Sequence, residues 1–396
     1  MEKSEIIKIF MNKGHQLDSE SLNYFLENPE RLKPFLESIA KEEKIPFNIN
    51  KQTILKVTEK EYIPNFERIK SSRYKEKFSV QDMVSFVNKR YVEIKKILSK
   101  RMDLINLISI NKISDKTKKF SIIAITREIN RNQNHLTVED NTGRIELKLS
   151  EKTKENIKNI YEDEVIGLIC EKENGSVLVT NIVFPDIPLR REINRTEKEI
   201  NCLFISDLHL GQANPTLEKK LIEHLIKLDD KNLFIFLLGD ISSDEELTNK
   251  FISKLPPKAK KLLILGEMDK RGTYENVEIL EDPSWIKMGN VIIFLSHGNF
   301  LDGYLKETET NIDETITNML RKRNFNPKFE FTKKIFEEDP YFIDVIPDII
   351  AMGHFQKPTT RNYKGTTIIT NGGFLGQPIF WNINLRNREI IKIDLS

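Results

Sequence analysis

In CLFISDLHLG, residues 202–211, a continuous apolar run ends in an aspartate and a histidine, and this arrangement is the strongest indication of the fold. The same arrangement returns downstream in NLFIFLLGD (232–240), KKLLILGEMD (260–269), VIIFLSHG (291–298) and PDIIAMGHF (347–355). Apolar runs without alternation are typical of buried strands in an α/β sheet. Since ligands bind beyond the carboxyl ends of such strands, the polar residues that follow them predict a site at one sheet edge.

Carboxylates and imidazoles from successive strand ends are the ligand types of a binuclear metal site. Two divalent ions can share one carboxylate, activate a water molecule and clamp a phosphoryl oxygen. Gly239-Asp240 or His297-Gly298 alone would more often be an ordinary turn, so the prediction depends on all five clusters occurring in order.

Composition excludes several other classes. The 396 residues carry 62 basic and 60 acidic side chains, a net charge of +2, so no global basic field indicates nucleic acid. Two cysteines, Cys170 and Cys202, exclude a disulfide framework and a four-cysteine zinc site. No apolar run reaches about 18 residues and the N-terminus is charged, so we expect a cytoplasmic chain with no membrane partner.

The first hundred residues divide into three predicted parts. Apolar spacing over 1–45 predicts a small helical module, and 46–78 lacks periodicity and is interpreted as a linker. Residues 79–103 predict an amphipathic helix capped by Ser79. Its predicted apolar face consists of Val80, Met83, Val84, Val87, Tyr91, Ile94 and Leu98. Residues 51–103 contain 14 Lys/Arg against 7 Asp/Glu, which is compatible with DNA phosphates or with an ordinary solvated face.

From 104 to 190 the pattern changes to short strands. Six segments have alternation or β-branched content, and they are 104–110, 120–128, 135–140, 144–150, 164–172 and 176–184. Short strands with a helical piece after the fourth predict an OB-type barrel. Such barrels often bind single-stranded nucleic acid, whose bases stack on aromatic side chains. Only Phe120 and Phe184 are available on the predicted strands here, so a structural or protein-binding role is the alternative.

The five strand-end clusters resemble the pattern of the calcineurin-like metallophosphoesterases. The resemblance implies a β-sandwich flanked by helices over 198–396, with 303–345 as a helical insertion. It implies that Asp207 and His209 hold the first of two metal ions, that Asp240 bridges both, and that His297 and His354 hold the second, which makes these five the catalytic residues. Manganese is the favoured ion for these mixed ligands, with magnesium as the alternative.

Three positions depart from that family pattern. Glu267 replaces an asparagine and is a competent oxygen ligand, whereas Gln356 replaces a histidine and is a weak ligand for the first metal. Met268 replaces the histidine that protonates the leaving group, and the loss of a general acid costs about 10²–10⁴-fold in rate.

The barrel joined to a phosphoesterase domain is similar to the small subunits of replicative DNA polymerases. FVNKRYVEIKKIL (86–98), TVEDNTGRIELKLS (137–150) and PDIIAMGH (347–354) look like the small subunit of archaeal family D DNA polymerase. This resemblance implies a heterodimer with the large catalytic subunit, nucleoid association, and a metal-dependent 3′→5′ exonuclease that proofreads on single-stranded DNA ends at a primer-template. A sliding clamp would be met through the complex.

Two alternatives remain open from the sequence. Met268 and Gln356 favour a weakened or inactive scaffold subunit of the same polymerase. A free-standing phosphoesterase is the third hypothesis, and the barrel and basic helix argue against it.

Overall fold

The computed structural model describes residues 3–39, 46–58, 65–173, 175–228, 230–308 and 310–396, and it divides into two units, Met1–Pro64 and Asn65–Ser396. The elements of the first unit are α1 (Lys3–Asn12), β1 (Gln16–Leu17), α2 (Ser19–Glu27), a 3₁₀ turn (Pro29–Arg31), α3 (Leu32–Ile39), β2 (Asn48–Ile49) and α4 (Lys51–Thr58). None of the helices in the described part of the chain has the length and apolar content needed to cross a bilayer.

The first unit is larger than the predicted helical module over 1–45. Its core is built on the rings of Phe10, Phe25 and Phe35, whose centroids lie 5.4 to 5.9 Å apart. Ile49 and Ile54 are fully buried in the same core, and β1 pairs with β2. The prediction of a linker is therefore wrong for 46–58, and 59–64 lie outside the described residues.

The second unit begins with mixed structure and a barrel. Its first elements are β3 (Glu67–Lys70), β4 (Tyr74–Lys75), α5 (Val80–Leu98), β5 (Lys119–Asn130), β6 (His135–Asp140), β7 (Gly143–Leu149), β8 (Val165–Glu173) and β9 (Ser176–Val183). The five strands β5 to β9 close in the order β5-β6-β7-β9-β8, which confirms a barrel, while its OB type stays a prediction. Residues 104–110 do not form the predicted sixth strand, because only Leu107 makes a bridge, to Ser121.

The helix α5 packs on this barrel with a face that differs from the predicted one. Tyr91 is buried and its hydroxyl donates to the carbonyl of Ile123 in β5. Val80 and Val84, which were expected on the buried face, are 78% and 53% exposed. Arg90 is buried instead, and it pairs with Asp339 at 2.8 Å.

The rest of the second unit contains two six-stranded sheets, one of which includes β3, and the short strand β16 (Ile335–Phe336), which pairs with β4. The strands are β10 (Asn201–Ile205), β11 (Leu233–Leu238), β12 (Lys260–Ile264), β13 (Glu278–Leu280), β14 (Ser284–Met288), β15 (Val291–Ser296), β16 (Ile335–Phe336), β17 (Ile349–Met352), β18 (Thr359–Tyr363), β19 (Thr366–Thr370), β20 (Ile379–Asn384) and β21 (Ile390–Asp394). The helices are α6 (Pro215–Ile226), α7 (Glu245–Lys254), α8 (Asp302–Thr308), α9 (Ile312–Arg321) and α10 (Phe329–Thr332).

The two sheets pack face to face and are covered by helices. Their orders are β13-β12-β11-β10-β20-β21 and β18-β19-β17-β15-β14-β3. Buried residues of both sheets, such as Phe204, Phe236, Ile293 and Ala351, share one core. The outer face of the first sheet packs on α6 and α7, and that of the second on α8 and α9, as expected for a β-sandwich flanked by helices.

Residues 65–78 are also not a linker. The strand β3 pairs antiparallel with β14 and forms the edge of the second sheet, and β4 pairs with β16. Both strands are short and largely exposed, so they lack the apolar alternation from which strands are predicted. The region predicted as an insertion, 303–345, contains nearly all of α8, with α9, α10 and β16, and it also meets the barrel, where Lys322 pairs with Glu164 at 2.7 Å.

Candidate metal centre

The carboxyl ends of four strands place the predicted ligands at one edge of the sandwich. Asp207 and His209 follow β10, and Asp240 follows β11, its parallel neighbour in the first sheet. His297 follows β15 and His354 follows β17, which are parallel neighbours in the second sheet. The site therefore draws on both sheets, and the chain folds this way because each apolar strand is buried up to the residue before its polar end.

These five side chains form two groups that share Asp240. One group is Asp207, His209 and Asp240, the other is Asp240, His297 and His354, and the ligand atoms of each lie within 4.8 Å of one another. His297 Nε2 lies 3.5 Å from Asp240 Oδ2 and 3.3 Å from His354 Nδ1. Oxygen and nitrogen donors that converge on two adjacent points, with one carboxylate in common, can hold two divalent cations.

The backbone at this edge is strained. Asp207, His209, Asp240, His354 and Gln356 all have φ between 46° and 69°, in the left-handed region. Each such non-glycine residue costs about 1–3 kcal/mol and persists only where the surrounding structure fixes it. Five in one place indicate that the fold gives up stability to aim these side chains.

Two glycines allow the loops to approach closely. A Cβ on Gly239 would lie 2.5 Å from His297 Nδ1, and one on Gly266 would lie 2.3 Å from Asp240 Oδ1. Any side chain at these positions would displace the imidazole or the shared carboxylate.

The electrostatics of the group fit a divalent cation. Asp207 is fully buried, and its Oδ1 has no hydrogen-bond partner among the described residues. Burial opposes the charge of His297, but the hydrogen bond and the charge of Asp240 outweigh it and raise the pKa of His297 to about 9. Burial likewise opposes the charge of Asp240, yet His297 holds its pKa below the ordinary value. These carboxylates require positive charge beside them, which a bound cation supplies.

A surrounding layer of hydrogen bonds orients the ligands. The Nδ1–H of His297 donates to the carbonyl of Leu238 at 2.8 Å, which turns Nε2 toward the centre. His354 Nε2 lies 3.1 Å from Asp302 Oδ2, so its Nδ1 is the ring nitrogen that faces His297. Such partners fix the tautomer and the orientation of a metal-binding imidazole.

Two half-buried carboxylates, Asp269 and Asp282, belong to this layer, and the sequence did not single out Asp282. Asp269 accepts the backbone N–H groups of Asp240, Ile241, Ser242 and Gly266 and so ties two strand-end loops together. Asp282 accepts the Ser296 hydroxyl at 2.6 Å and the His297 N–H at 3.2 Å. Asp282 precedes a proline outside every cluster, so only the fold reveals its position.

The positions that depart from the family pattern have different environments. Met268 Sδ lies 3.1 Å from Nδ1 of His209, and Gln356 Nε2 lies 2.9 Å from Nε2 of the same ring. Both changes therefore act on His209. Glu267 is exposed, lies outside both ligand groups and accepts a hydrogen bond from Asn299, so the prediction that it is a ligand does not agree with its position.

The strands that carry these side chains lie within a stretch that matches a known protein family. Residues 200–376 match the calcineurin-like phosphoesterase family, so the domain formed by the two sheets has that fold, and such a domain implies divalent metal ions. An archaeal phosphodiesterase of known structure aligns with 49% of this chain and 99% of its own at 15% identity, with a TM-score of 0.32, which is too low to support a functional argument.

Two archaeal proteins are similar to this chain over most of its length. A DNA polymerase II small subunit from Methanothermobacter thermautotrophicus is 25% identical over 364 residues, which cover 77% of this chain and 75% of the relative. The protein of the same name from Archaeoglobus fulgidus is 22% identical over 356 residues, 76% of this chain and 72% of the relative. The chain is similar to these DNA polymerase II small subunits over about three quarters of its length, which confirms the resemblance drawn from its sequence.

Proposed function

We propose that this chain is the small subunit of a family D DNA polymerase and that its centre is a 3′→5′ exonuclease that hydrolyses the terminal phosphodiester of single-stranded DNA. The observation that supports the proposal is the convergence of two ligand groups on Asp240 at the sheet edge. The names of the relatives support a complex with a large catalytic subunit.

The roles of the residues follow from their positions. Asp207, His209 and Asp240 would hold one ion, and Asp240, His297 and His354 the other, with manganese favoured by the mixed donors. The bound ions would polarise the phosphodiester and supply a nucleophile at neutral pH. Asp302 holds the His354 ring, and the carbonyl of Leu238 holds that of His297. Met268 has no proton to give, so the leaving 3′-oxygen would take its proton from solvent.

A second candidate function is a scaffold subunit of the same polymerase with a weakened or inactive centre. The observation that favours it is that Met268 and Gln356 occupy both ring nitrogens of His209, one of the first-metal ligands. In this case the barrel and the phosphoesterase sheets would serve to hold the large subunit, and DNA or a sliding clamp would be met through the complex.

One experiment separates the two candidates. Single-stranded DNA labelled at its 5′ end is incubated with Mn²⁺ and the full chain, alone and with its large subunit. Asp240→Ala should lower the shortening from the 3′ end by more than about a hundredfold, because it removes the ligand that both ions share. Asp394→Ala, an exposed carboxylate on β21, is the matched control.

The outcomes distinguish the candidates directly. Equal activity in the Asp240→Ala protein would assign the nuclease to a contaminant or to the partner and reject the proposal. No shortening in either format, with the complex still assembled, would favour the scaffold.

A further inference from the structure

A cleft of about 690 Å³ opens beside the candidate centre. Gly266, Asp269 and His297 line its inner end, and the paired residues Tyr74 and Phe336 of β4 and β16 line its outer wall. The outer wall thus comes from the segment interpreted as a linker and from the predicted insertion, and none of the strand-end clusters contributes to it.

Hydrogen bonds connect this wall to a ligand of the centre. The backbone N–H of Ser72 donates to Glu281 at 2.7 Å, and the Ser72 hydroxyl donates to the carbonyl of Pro283. Asp282, between these two partners, accepts the N–H of His297. The position of Arg73 and Tyr74 is therefore fixed relative to His297.

Three exposed cations line the cleft: Arg73, Arg271 and Lys334. Within the described part of the chain, the guanidinium groups of Arg73 and Arg271 form no ion pair, whereas the Lys334 ammonium lies 4.6 Å from the centre of the Tyr74 ring. Guanidinium groups that lack a carboxylate partner are suited to phosphate oxygens, which they bind in a forked geometry.

An exposed aromatic ring stands beside these cations. Tyr74 is 40% exposed, and its ring contacts Phe336 in a T-shaped arrangement at 6.2 Å. A partly exposed ring next to cations is the combination on which unpaired bases stack, since every base has a π-face.

Six acidic residues also line the cleft. Asp269, Glu281 and Asp282 accept hydrogen bonds from the backbone or from Ser296, so they are committed to the fold. Glu267 accepts from Asn299. The exposed carboxylates of Glu76 and Glu337 remain, and they would repel phosphates near them. A polyanion in this cleft would therefore bind through the two arginines, whose charge must outweigh that of the carboxylates.

We infer that this cleft binds the single-stranded polynucleotide whose end reaches the metal centre, with Arg73 and Arg271 on backbone phosphates and Tyr74 stacked on a base. The inference rests on the proposed function, because it assigns the residues that would bind the substrate proposed for the same centre. Arg73, Tyr74 and Arg271 are then binding residues for DNA, with no part in holding metal.

Binding without metal tests the inference apart from hydrolysis. Fluorescence anisotropy of a labelled oligothymidylate is measured with the full chain in EDTA over a series of salt concentrations. Arg73→Ala/Arg271→Ala should weaken binding by about tenfold or more at low salt and reduce the salt slope by about 1.4, since each single-strand phosphate contact contributes about 0.7. Tyr74→Ala should weaken binding about fivefold or more, and Tyr74→Phe should retain wild-type affinity.

Arg386→Ala is the matched control. Arg386 is exposed in the hairpin after β20, at the edge where β10 begins, opposite the centre. The inference is overturned if the wild-type chain does not bind the oligonucleotide, if the double variant keeps the wild-type affinity and slope, or if Arg386→Ala has the same effect. Poly-glutamate that displaces the DNA from wild-type and Tyr74→Ala proteins equally would indicate an acidic peptide site and would also overturn it.

Hydrolysis of bis(p-nitrophenyl) phosphate with Mn²⁺ then reports on the centre itself. Hydrolysis without oligonucleotide binding would reject the cleft and leave the phosphoesterase. Binding without hydrolysis of either substrate would reject the proposed nuclease and leave the cleft as a DNA-binding surface of a scaffold.

Discussion

Replacing Lys322 by methionine should destabilise the second unit strongly, because Lys322 neutralises a buried carboxylate. Lys322 and Glu164 are each 3% exposed, and Nζ lies 2.7 Å from Oε2. The ammonium also lies 3.6 Å from the centre of the Tyr161 ring and donates to the carbonyl of Asn159. Burial lowers the pKa of Lys322 to about 8 and raises that of Glu164, so each charge depends on the other.

The size of the effect follows from the burial. Breaking a buried pair by removing one partner costs about 3–5 kcal/mol. A unit of about 330 residues has an unfolding entropy of about 0.7 kcal/mol/K, so the melting temperature of Lys322→Met should fall by about 4–7 °C. Lys322→Met/Glu164→Gln removes both charges and should recover most of the loss.

Differential scanning calorimetry of the full chain measures these shifts. Lys154→Met is the control, since it breaks an exposed pair with Glu151 on the same barrel and should change little. A Lys322→Met protein that melts within one degree of wild type, or a double variant as unstable as the single one, would contradict this prediction. Either result would mean that water or another cation already compensates Glu164.

Three further predictions concern the centre and α5. Gly239→Ala should abolish metal binding at the His297 group, because φ of Gly239 is +87° and the new Cβ would lie 2.5 Å from Nδ1 of His297. Native mass spectrometry counts the bound ions, and an unchanged count would contradict this. Gln356→His should tighten Mn²⁺ binding by about tenfold in calorimetry, because a ring nitrogen would replace an amide beside His209, whereas unchanged affinity would place Gln356 outside the ligand set. Asp82 accepts hydrogen bonds from Lys75 and from Ser79 at the α5 cap, and these bonds lower its pKa to about 2. Because the folded pKa lies below the unfolded value, the stabilisation from this carboxylate is present above about pH 4 and is lost as the pH falls through about 2. A carboxyl NMR titration with a midpoint near pH 4 would contradict this.

The sequence predicted that these side chains would converge, because the signal for each of them is local. Each of Asp207, Asp240, His297 and His354 follows a buried apolar strand within two residues, and the parallel pairing of those strands brings their ends together. Glu267 shows the limit of this reasoning. Its loop lies at the centre, but the carboxylate points to Asn299, and no spacing rule specifies the direction of one side chain.

Elements held by long-range contacts could not be predicted in the same way. The strand β3 is recognised only through its pairing with β14, about two hundred residues away in the chain, because its own residues are half exposed. Arg90 lies on the buried face of α5 because Asp339 neutralises it there, whereas a charged residue in a sequence suggests solvent. Residues 104–110 have the apolar content of a strand, yet the barrel closes without them.

The edge position of β3 determines where the chain can be shortened. A fragment that starts at Asn65 keeps the second unit whole, with Phe66 against the core between the sheets and Arg68 paired to Glu278 at 2.8 Å. A fragment that starts at Ser79, the boundary suggested by the sequence, would expose the backbone of β14 as a free sheet edge, which is a template for aggregation. Preparations of the shorter fragment should therefore precipitate or associate during expression, and crystallisation trials should begin from Asn65.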